Sequence, residues 1–309
     1  MNIDRKNKLL YYIEVFFRRI LPSGNYAEKV KFLEKKLSSD QKKSAQKRID
    51  YYCKINFENH LKKSDKKIKT LLKAETPKAY YYDAYEYARF FNKNLPIDYV
   101  FGDVVHVPDV PSIVKSRPIS DENQNSVLLN LDKTRHFVWV KNDKDFLLKK
   151  TILIGRGAVF QQHRFDFYEK YFNHPLCDLG QVNKIGGNSK WIKPKISIKK
   201  HLDYKFILSL EGNDVATNLK WIMSSNSIAV MPKPKYETWF MEGTLEGGKH
   251  FIEIKPDYSD LEEQLSFYIA NPEKCFEIIK NAHQFCEQFF IKDVEDYCSL
   301  KTLEKYLII

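Results

Sequence analysis

The stretch from Tyr204 to Gly243 constrains the fold more than any other part of the chain. It reads as a short apolar run (Phe206 to Leu210), a polar break at Glu211, Gly212, Asn213 and Asp214, and a helix-like segment to Ser224. A second apolar run (Ser227 to Met231) and a proline-rich turn follow. Strand, loop, helix and strand in that order are the signature of a βαβ unit with parallel strands. Ligands of such sheets bind beyond the carboxyl ends of the strands, which makes Glu211–Asp214 and the segment from Pro232 to Gly243 candidate ligand loops. Turn and cap chemistry accounts for the same residues: Gly212 and Asn213 suit a turn, and Asp214 suits a helix N-cap.

The length of 309 residues accommodates two domains, each with its own core. No apolar run reaches the roughly 18 to 20 residues of a membrane span. Leu9 to Leu21 is apolar-rich, but Glu14, Arg18 and Arg19 interrupt it and no small-residue cleavage site follows, so it does not read as a cleavable signal. The 5 cysteines are odd in number and lack paired spacing, which points to free thiols in a reducing cytoplasm. The net charge of +11 is lopsided: residues 1–73 hold 20 Lys and Arg against 8 Asp and Glu, whereas the rest is balanced. A basic region of this kind attracts nucleic acid, an anionic membrane face or a phosphorylated glycolipid, unless it is only a solvated helical face.

Residues 5–21 place Leu9, Leu10, Ile13, Phe16, Phe17 and Ile20 at helical spacing between basic residues. Such a stripe either packs into the core or lies in a membrane interface. Residues 26–73 favour two or three helices, with Val30, Leu33, Leu37, Ile49, Ile55, Phe57, Leu61, Ile68 and Leu71 on their buried faces. Tyr80, Tyr81, Tyr82, Tyr85 and Tyr87 crowd a further helix, where packing is the commoner fate than stacking on sugars or bases. From Tyr99 short strands take over, and Asp103 follows Gly102 at a strand-to-loop transition, where a carboxylate can be a plain cap. Lys115 and Arg117 lie near a turn. Asn125–Leu131 and His136–Val140 read as strands, and the charged connection at 141–150 as a domain boundary.

Thr151–Ile154 is a strand running into Gly155, Arg156, Gly157 and Ala158, where glycines allow close backbone approach and Arg156 offers a planar donor fork. Helices are expected over Phe165–Phe172, over Asp260–Ala270 with Ser259 as cap and Glu262 in a capping box, from Pro272 through Phe289, and over Val294–Leu307. His163, His174, Cys177 and Asp178 fit no zinc spacing, and Asp143 and Asp145 in a polar linker are weak metal candidates.

The Tyr204–Gly243 block, IGRG near 155 and FGDVVHVP near 101 together resemble the lipopolysaccharide A protein group of glycosyltransferase family 90. That family also contains capsule-associated xylosyltransferases and protein O-glucosyltransferases. The resemblance covers roughly residues 95–290 and is nearest to the bacterial lipooligosaccharide members. It implies an α/β, GT-B-like fold of two Rossmann-like domains facing a cleft, with a helical N-terminal extension. The expected divisions are a basic extension at 1–75, an acceptor-side domain at 76–150, a donor domain at 151–290 and a C-terminal helix at 291–309 that packs back on the N-terminal domain.

The resemblance further implies transfer of a hexose, glucose or galactose, from a UDP-sugar to lipopolysaccharide core by an inverting single displacement, with no metal cofactor. Asp103 takes the role of general base. Arg156, Gly157, Arg164 and Lys220 are expected around the donor diphosphate. Glu211, Gly212, Asn213, Asp214, Asn218, Tyr236, Glu237 and Glu242 are expected on the donor, and Lys115 and Arg117 on the acceptor. A helix N-terminus near Asp214 would offer backbone N–H groups to the diphosphate. The sequence departs from the family at Gly155, where an aromatic residue is usual, and Glu211 and Asn218 stand where the protein O-glucosyltransferases carry arginines. Expected partners are a nucleotide sugar, a lipid A–core glycolipid and the anionic inner-membrane surface, with the protein cytoplasmic and peripherally bound and no nucleic acid involved. The rivals are a basic nucleic-acid-binding protein and a nucleotide-sugar-binding protein without turnover.

Overall fold

A computed structural model of the chain describes residues 1–55 and 65–308; Phe57 and Leu61 lie outside the described residues. In chain order the elements begin β1 (Asn2–Asp4), α1 (Lys8–Ile20), α2 (Tyr26–Lys36), α3 (Ser39–Tyr52), α4 (Lys78–Ala88), β2 (Tyr99–Val100), β3 (Ser112–Val114), β4 (Ser116–Pro118), β5 (Ser126–Leu128), α5 (Lys133–His136) and β6 (Trp139–Lys141). They continue β7 (Lys150–Gly157), α6 (Gln162–Tyr171), β8 (Cys177–Gln181), α7 (Ile198–His201), β9 (Tyr204–Leu208), α8 (Leu219–Met223), β10 (Ile228–Met231), β11 (Tyr236–Thr238), β12 (Ile252–Glu253), α9 (Leu261–Ala270), α10 (Pro272–Glu287) and α11 (Lys292–Ile308). The chain divides into two compact units. Unit 1 holds Met1–Arg5, His136–Pro234 and Thr244–Glu287; unit 2 holds Lys6–Arg135, Lys235–Gly243 and Gln288–Ile309.

Unit 1 is built on a five-stranded sheet in the order β12-β10-β9-β7-β8, every pairing parallel. Read from the other edge, its strands stand second, first, third, fourth and fifth in the chain. The strand order therefore reverses between β7 and β9, a topological switch point of the doubly wound type. One face carries Leu153, Leu179, Phe206, Ile228, Val230 and Ile252 into a core shared with Phe167 and Tyr171 of α6, Leu261 and Leu265 of α9 and Ile278 of α10. Ile154, Ile207 and Ala229, alternating onto the opposite face, are also buried. Burial on both faces explains why these strands read as continuous apolar runs and not as alternating ones.

The βαβ unit is present, with β9 and β10 parallel, but α8 begins at Leu219 and not near Asp214. Five residues make a single turn, so no helix N-terminus stands at Asp214 to receive an anion; Gly212 N–H instead closes a turn onto the Asp214 carbonyl at 3.0 Å. The expected capping box at α9 is also absent: Asp260 is the N-cap without a side-chain bond, and Ser259 bonds Asp257.

Unit 2 combines helices with a three-stranded parallel sheet, β2-β3-β5, and an antiparallel pair, β4-β11. Helix α11 packs on α2, α3 and α4. Val30, Leu33, Leu37, Ile49, Ile55, Ile68 and Leu71 are all buried, as helical spacing predicts. Tyr80, Tyr81, Tyr85 and Tyr87 are buried too, and Tyr80 and Tyr81 pack on Phe101, which makes the tyrosine cluster core.

The unit boundaries differ from a division at 150 for physical reasons. Residues 136–150 join unit 1 because β6 pairs with β1, and Phe146 packs on Phe206 of β9 and Phe276 of α10. Residues 235–243 join unit 2 because β11 pairs with β4, setting Glu237 opposite Arg117.

Candidate active site

A cavity of about 210 Å³ opens at the switch point of unit 1, lined by the carboxyl ends of β7 (Gly155, Arg156, Gly157, Ala158) and β9 (Leu208, Leu210) with Arg164, Tyr168, Thr217 and Asn218. Arg164 and Tyr168, four residues apart on α6, reach it from one helix face. Arg164 bridges the two strand ends: its Nε donates to the Glu211 carbonyl, Nη1 to that of Ala158 and Nη2 to that of Leu210, each at 2.8 Å. These acceptors are neutral, so the cation is buried against oxygen dipoles, and desolvation pulls its pKa below the ordinary arginine value. A buried guanidinium held this way is a preorganised receptor for an anion arriving in the cavity.

Arg156 is held differently. Its Nη2 donates to Asp178 Oδ1 at 2.8 Å and its Nη1 to the Asp178 carbonyl at 2.6 Å, while its buried Nε makes no hydrogen bond. Asp178 also accepts from Lys193 Nζ at 2.9 Å. Burial alone would raise its pKa, but Lys193 and Arg156 outweigh that and hold the carboxyl below its ordinary value. The side chain of Arg156 lies flat over β8 because position 180 is glycine: a Cβ there would stand 2.9 Å from Arg156 Cδ and Nε. Gly155 is likewise a packing glycine, since a Cβ would come within 2.9 Å of Leu179 Cδ2 and 3.1 Å of Leu208 Cδ2. No larger side chain fits there without rearrangement.

The loop after β9 adds polar groups. His163 Nε2 lies 2.9 Å from the Glu211 carbonyl, Gln161 donates to Asn213 Oδ1 at 2.8 Å, and Asn218 donates to the Leu208 carbonyl at 2.9 Å. Asp214 is buried. Lys220, expected beside a diphosphate, is fully buried, its ammonium 5.8 Å from the Phe137 ring, and does not line the cavity.

In unit 2, Asp103 follows Gly102, whose φ of +129° only glycine adopts readily. Its Oδ1 accepts from Lys115 Nζ at 2.7 Å and lies 3.5 Å from Arg135 Nη2. Lys115 is 1% exposed while the Asp103 side chain is 29% exposed, so the ammonium anchors a partly open carboxylate from within. Lys115, expected at the acceptor, thus lies beneath Asp103 with its ammonium on the carboxylate. Asp132 joins the cluster through Arg135 Nε at 2.6 Å; burial raises its pKa despite Arg135 and Lys115.

Four other expected site residues are engaged elsewhere in unit 2. Arg117 Nε and Glu237 Oε1 pair at 2.7 Å, 0% and 1% exposed, and Arg117 also donates to the carbonyls of Ser126 and Tyr51. Glu237 further accepts from the Tyr51 hydroxyl. Glu242 accepts from Thr238 N–H at 2.6 Å and from its hydroxyl. Tyr236 sits half-buried on β11. Arg117 and Glu237 thus lock β11 onto β4 and α3, while Glu242 closes back on Thr238 at the end of β11; all three are buried. Sequence reasoning missed Tyr168, Thr217 and the pairing of Asp178 with Arg156. The i,i+4 relation of Tyr168 to Arg164 was a readable signal; the other two needed the strand register.

Residues 169–307 match the model of glycosyl transferase family 90. The match spans Glu211–Lys220 and begins downstream of Asp103, Arg156 and Arg164. The chain is 45% identical over 232 residues to O-glucosyltransferase LpsA of Dichelobacter nodosus, covering 75% of this chain and 73% of that protein. It is also 29% identical over 102 residues to uncharacterized protein 179R of Invertebrate iridescent virus 6, covering 30% of this chain and 8% of that protein.

Proposed function

This chain belongs to glycosyltransferase family 90 and is a glycosyltransferase; from that premise we propose that it transfers glucose from UDP-glucose to a hydroxyl of the lipopolysaccharide core. The relative's designation as an O-glucosyltransferase favours glucose over galactose. The observation that carries the donor assignment is Arg164, a buried cation on three neutral carbonyls beside a cavity at the switch point. The diphosphate supplies the missing anion, with the Arg156 Nε as a second donor. At about 210 Å³ the cavity is below the roughly 300–1,000 Å³ that encloses a drug-sized ligand, and it suits the diphosphate and sugar better than the whole nucleotide.

The proposed division of labour is GT-B-like, with unit 1 holding the donor and unit 2 supplying the base. Asp103 accepts the proton of the acceptor hydroxyl as that oxygen bonds to the anomeric carbon. The bond from that carbon to the β-phosphate oxygen breaks on the opposite face, and UDP departs with the electron pair, inverting the centre. Lys115 and Arg135 orient Asp103 to take the proton. The acceptor is a phosphorylated glycolipid at the cytoplasmic face of the inner membrane, with the protein bound peripherally. The test is UDP release from UDP-glucose by the purified protein with and without lipooligosaccharide. Release that requires the acceptor is expected; UDP-glucose binding without any acceptor-dependent release would sink the transfer reading.

A further inference from the structure

Helix α1 carries its apolar stripe on the wrong side for a core helix. Tyr11, 2% exposed, and Val15 face the parent unit, and the Tyr11 hydroxyl donates to Asp83 of α4 at 3.0 Å. Leu9, Ile13, Phe16 and Ile20, with Leu10 and Phe17 beside them, form the opposite arc at 100° per residue. All are exposed, Leu9 to 70% and Phe16 to 60%. A soluble core explains none of this arc, because the two residues that anchor the helix lie on the other side of it.

The charges around the arc point to what covers it. Arg5, Lys6 and Lys8 stand at its amino end and Arg18 and Arg19 in its last turn, while the helix has no acidic residue in its first turn. Its one carboxylate, Glu14, lies at the arc's margin and is matched by Lys6 Nζ at 2.7 Å and Arg18 Nη2 at 2.9 Å. Arg18 and Arg19 turn toward the protein, Arg18 onto Glu86 at 2.8 Å and Arg19 onto the Leu72 carbonyl, so the cations beside the arc are those at its amino end. An aromatic and aliphatic face with cations at one end and its single acid neutralised is complementary to acyl chains beneath anionic headgroups. No described helix is long and apolar enough to cross a membrane, so the fit is to an interface and not to a span.

We propose that α1 docks the protein on an anionic bilayer, lying in the interface plane with Leu9, Ile13, Phe16 and Ile20 inserted and Arg5, Lys6 and Lys8 at the headgroups. This deepens the reading of a membrane-borne acceptor and rests on that reading for its purpose only. The test is flotation of the full chain with phosphatidylcholine vesicles, with or without phosphatidylglycerol. Wild-type protein is expected to float with the anionic vesicles and at least about tenfold less with phosphatidylcholine alone or in high salt. The double variant Phe16→Glu, Phe17→Glu changes exposed side chains only and should lower flotation about tenfold or more with unchanged thermal unfolding; Ile13→Ser is the milder second variant.

Three results would each overturn the proposal: no flotation of wild type on anionic vesicles, equal flotation of the variants, or a wild-type dimer that Phe16→Glu, Phe17→Glu converts to monomer without lipid. Acceptor-dependent UDP release in detergent is expected to be the same for wild type and variant. Wild-type flotation without any UDP release would defeat the transferase reading and leave membrane docking supported.

Discussion

Arg117 in unit 2 and Arg164 in unit 1 are both buried arginines that clip chain segments together, yet their surroundings differ in one respect. Arg117 has a carboxylate, Glu237, at 2.7 Å; Arg164 has three carbonyls at 2.8 Å. The first arrangement is found in both units: in unit 2 Arg48 meets Glu295 at 2.6 Å and Lys133 meets Glu86 at 2.7 Å, and in unit 1 the buried Lys149 meets Asp143 at 2.6 Å. Arg164 departs from that pattern. A buried cation with an internal counter-ion is complete, and removing either partner strands the other in low dielectric. One held only by dipoles has a fixed position and an unneutralised charge, which is the condition for binding an anion from outside.

The largest effect expected from this division concerns Asp103. Asp103→Asn should lower kcat about 100- to 10,000-fold while UDP affinity changes less than about twofold, because the base acts on the acceptor and not on the donor. Stopped turnover together with lost UDP binding in a calorimetric titration would mean the two regions do not divide the work as proposed. Next in size is Arg117→Met, which leaves Glu237 buried without its cation and should cost about 3–5 kcal/mol of stability. Pairing it with Glu237→Leu should recover most of that loss in urea denaturation. A double variant no more stable than the single one would show that the carbonyl contacts, and not the ion pair, dominate.

Arg164→Lys is expected to show the opposite profile. Lysine keeps the charge but loses the fork, so UDP affinity should fall about 10- to 100-fold. Stability without ligand should drop less than for Arg117→Met, since the lost hydrogen bonds go to neutral acceptors and no charge is stranded. Thermal shift with added UDP reads both at once: the wild type gains stability from ligand and the variant should gain far less. An Arg164→Lys protein that unfolds early yet binds UDP normally would reduce Arg164 to a structural clip.

How far the sequence could anticipate this contrast depends on the kind of signal each residue carries. The parallel strands were legible because Ile228–Met231 and Leu153–Ile154 are buried on both faces and read as unbroken apolar runs. Arg156 and Arg164 were legible through the family resemblance, which set both at the donor; Arg156 lies at the carboxyl end of β7 and Arg164 on α6 just beyond it. The locking role of Arg117 and Glu237 was not, because it arises from a pairing across 120 residues of chain that no local pattern encodes. The apolar stripe of α1 was visible, but periodicity says only that a helix has two faces. Which of them meets the protein is decided by Tyr11 and Asp83, 72 positions apart.

Arg156 sits between the two cases, since it has a carboxylate partner in Asp178 and yet a buried Nε with no hydrogen bond. If the partner competes with the diphosphate, Asp178→Asn should tighten UDP binding about two- to threefold, a gain under 1 kcal/mol. The stability change should be equally small, within about 1 kcal/mol, because the Asp178 side chain is 30% exposed and solvent screens the pair. Its sign with pH is set by the lowered pKa. The folded carboxyl titrates below its ordinary value of 3.8, so the stabilisation is complete above that value and disappears as pH falls further. Wild type and variant should therefore differ at neutral pH and converge in acid unfolding below about pH 4. Weaker UDP binding in Asp178→Asn would assign the carboxylate the opposite role, orienting Arg156 toward the cavity, and would move Arg156 from the class of Arg117 to that of Arg164.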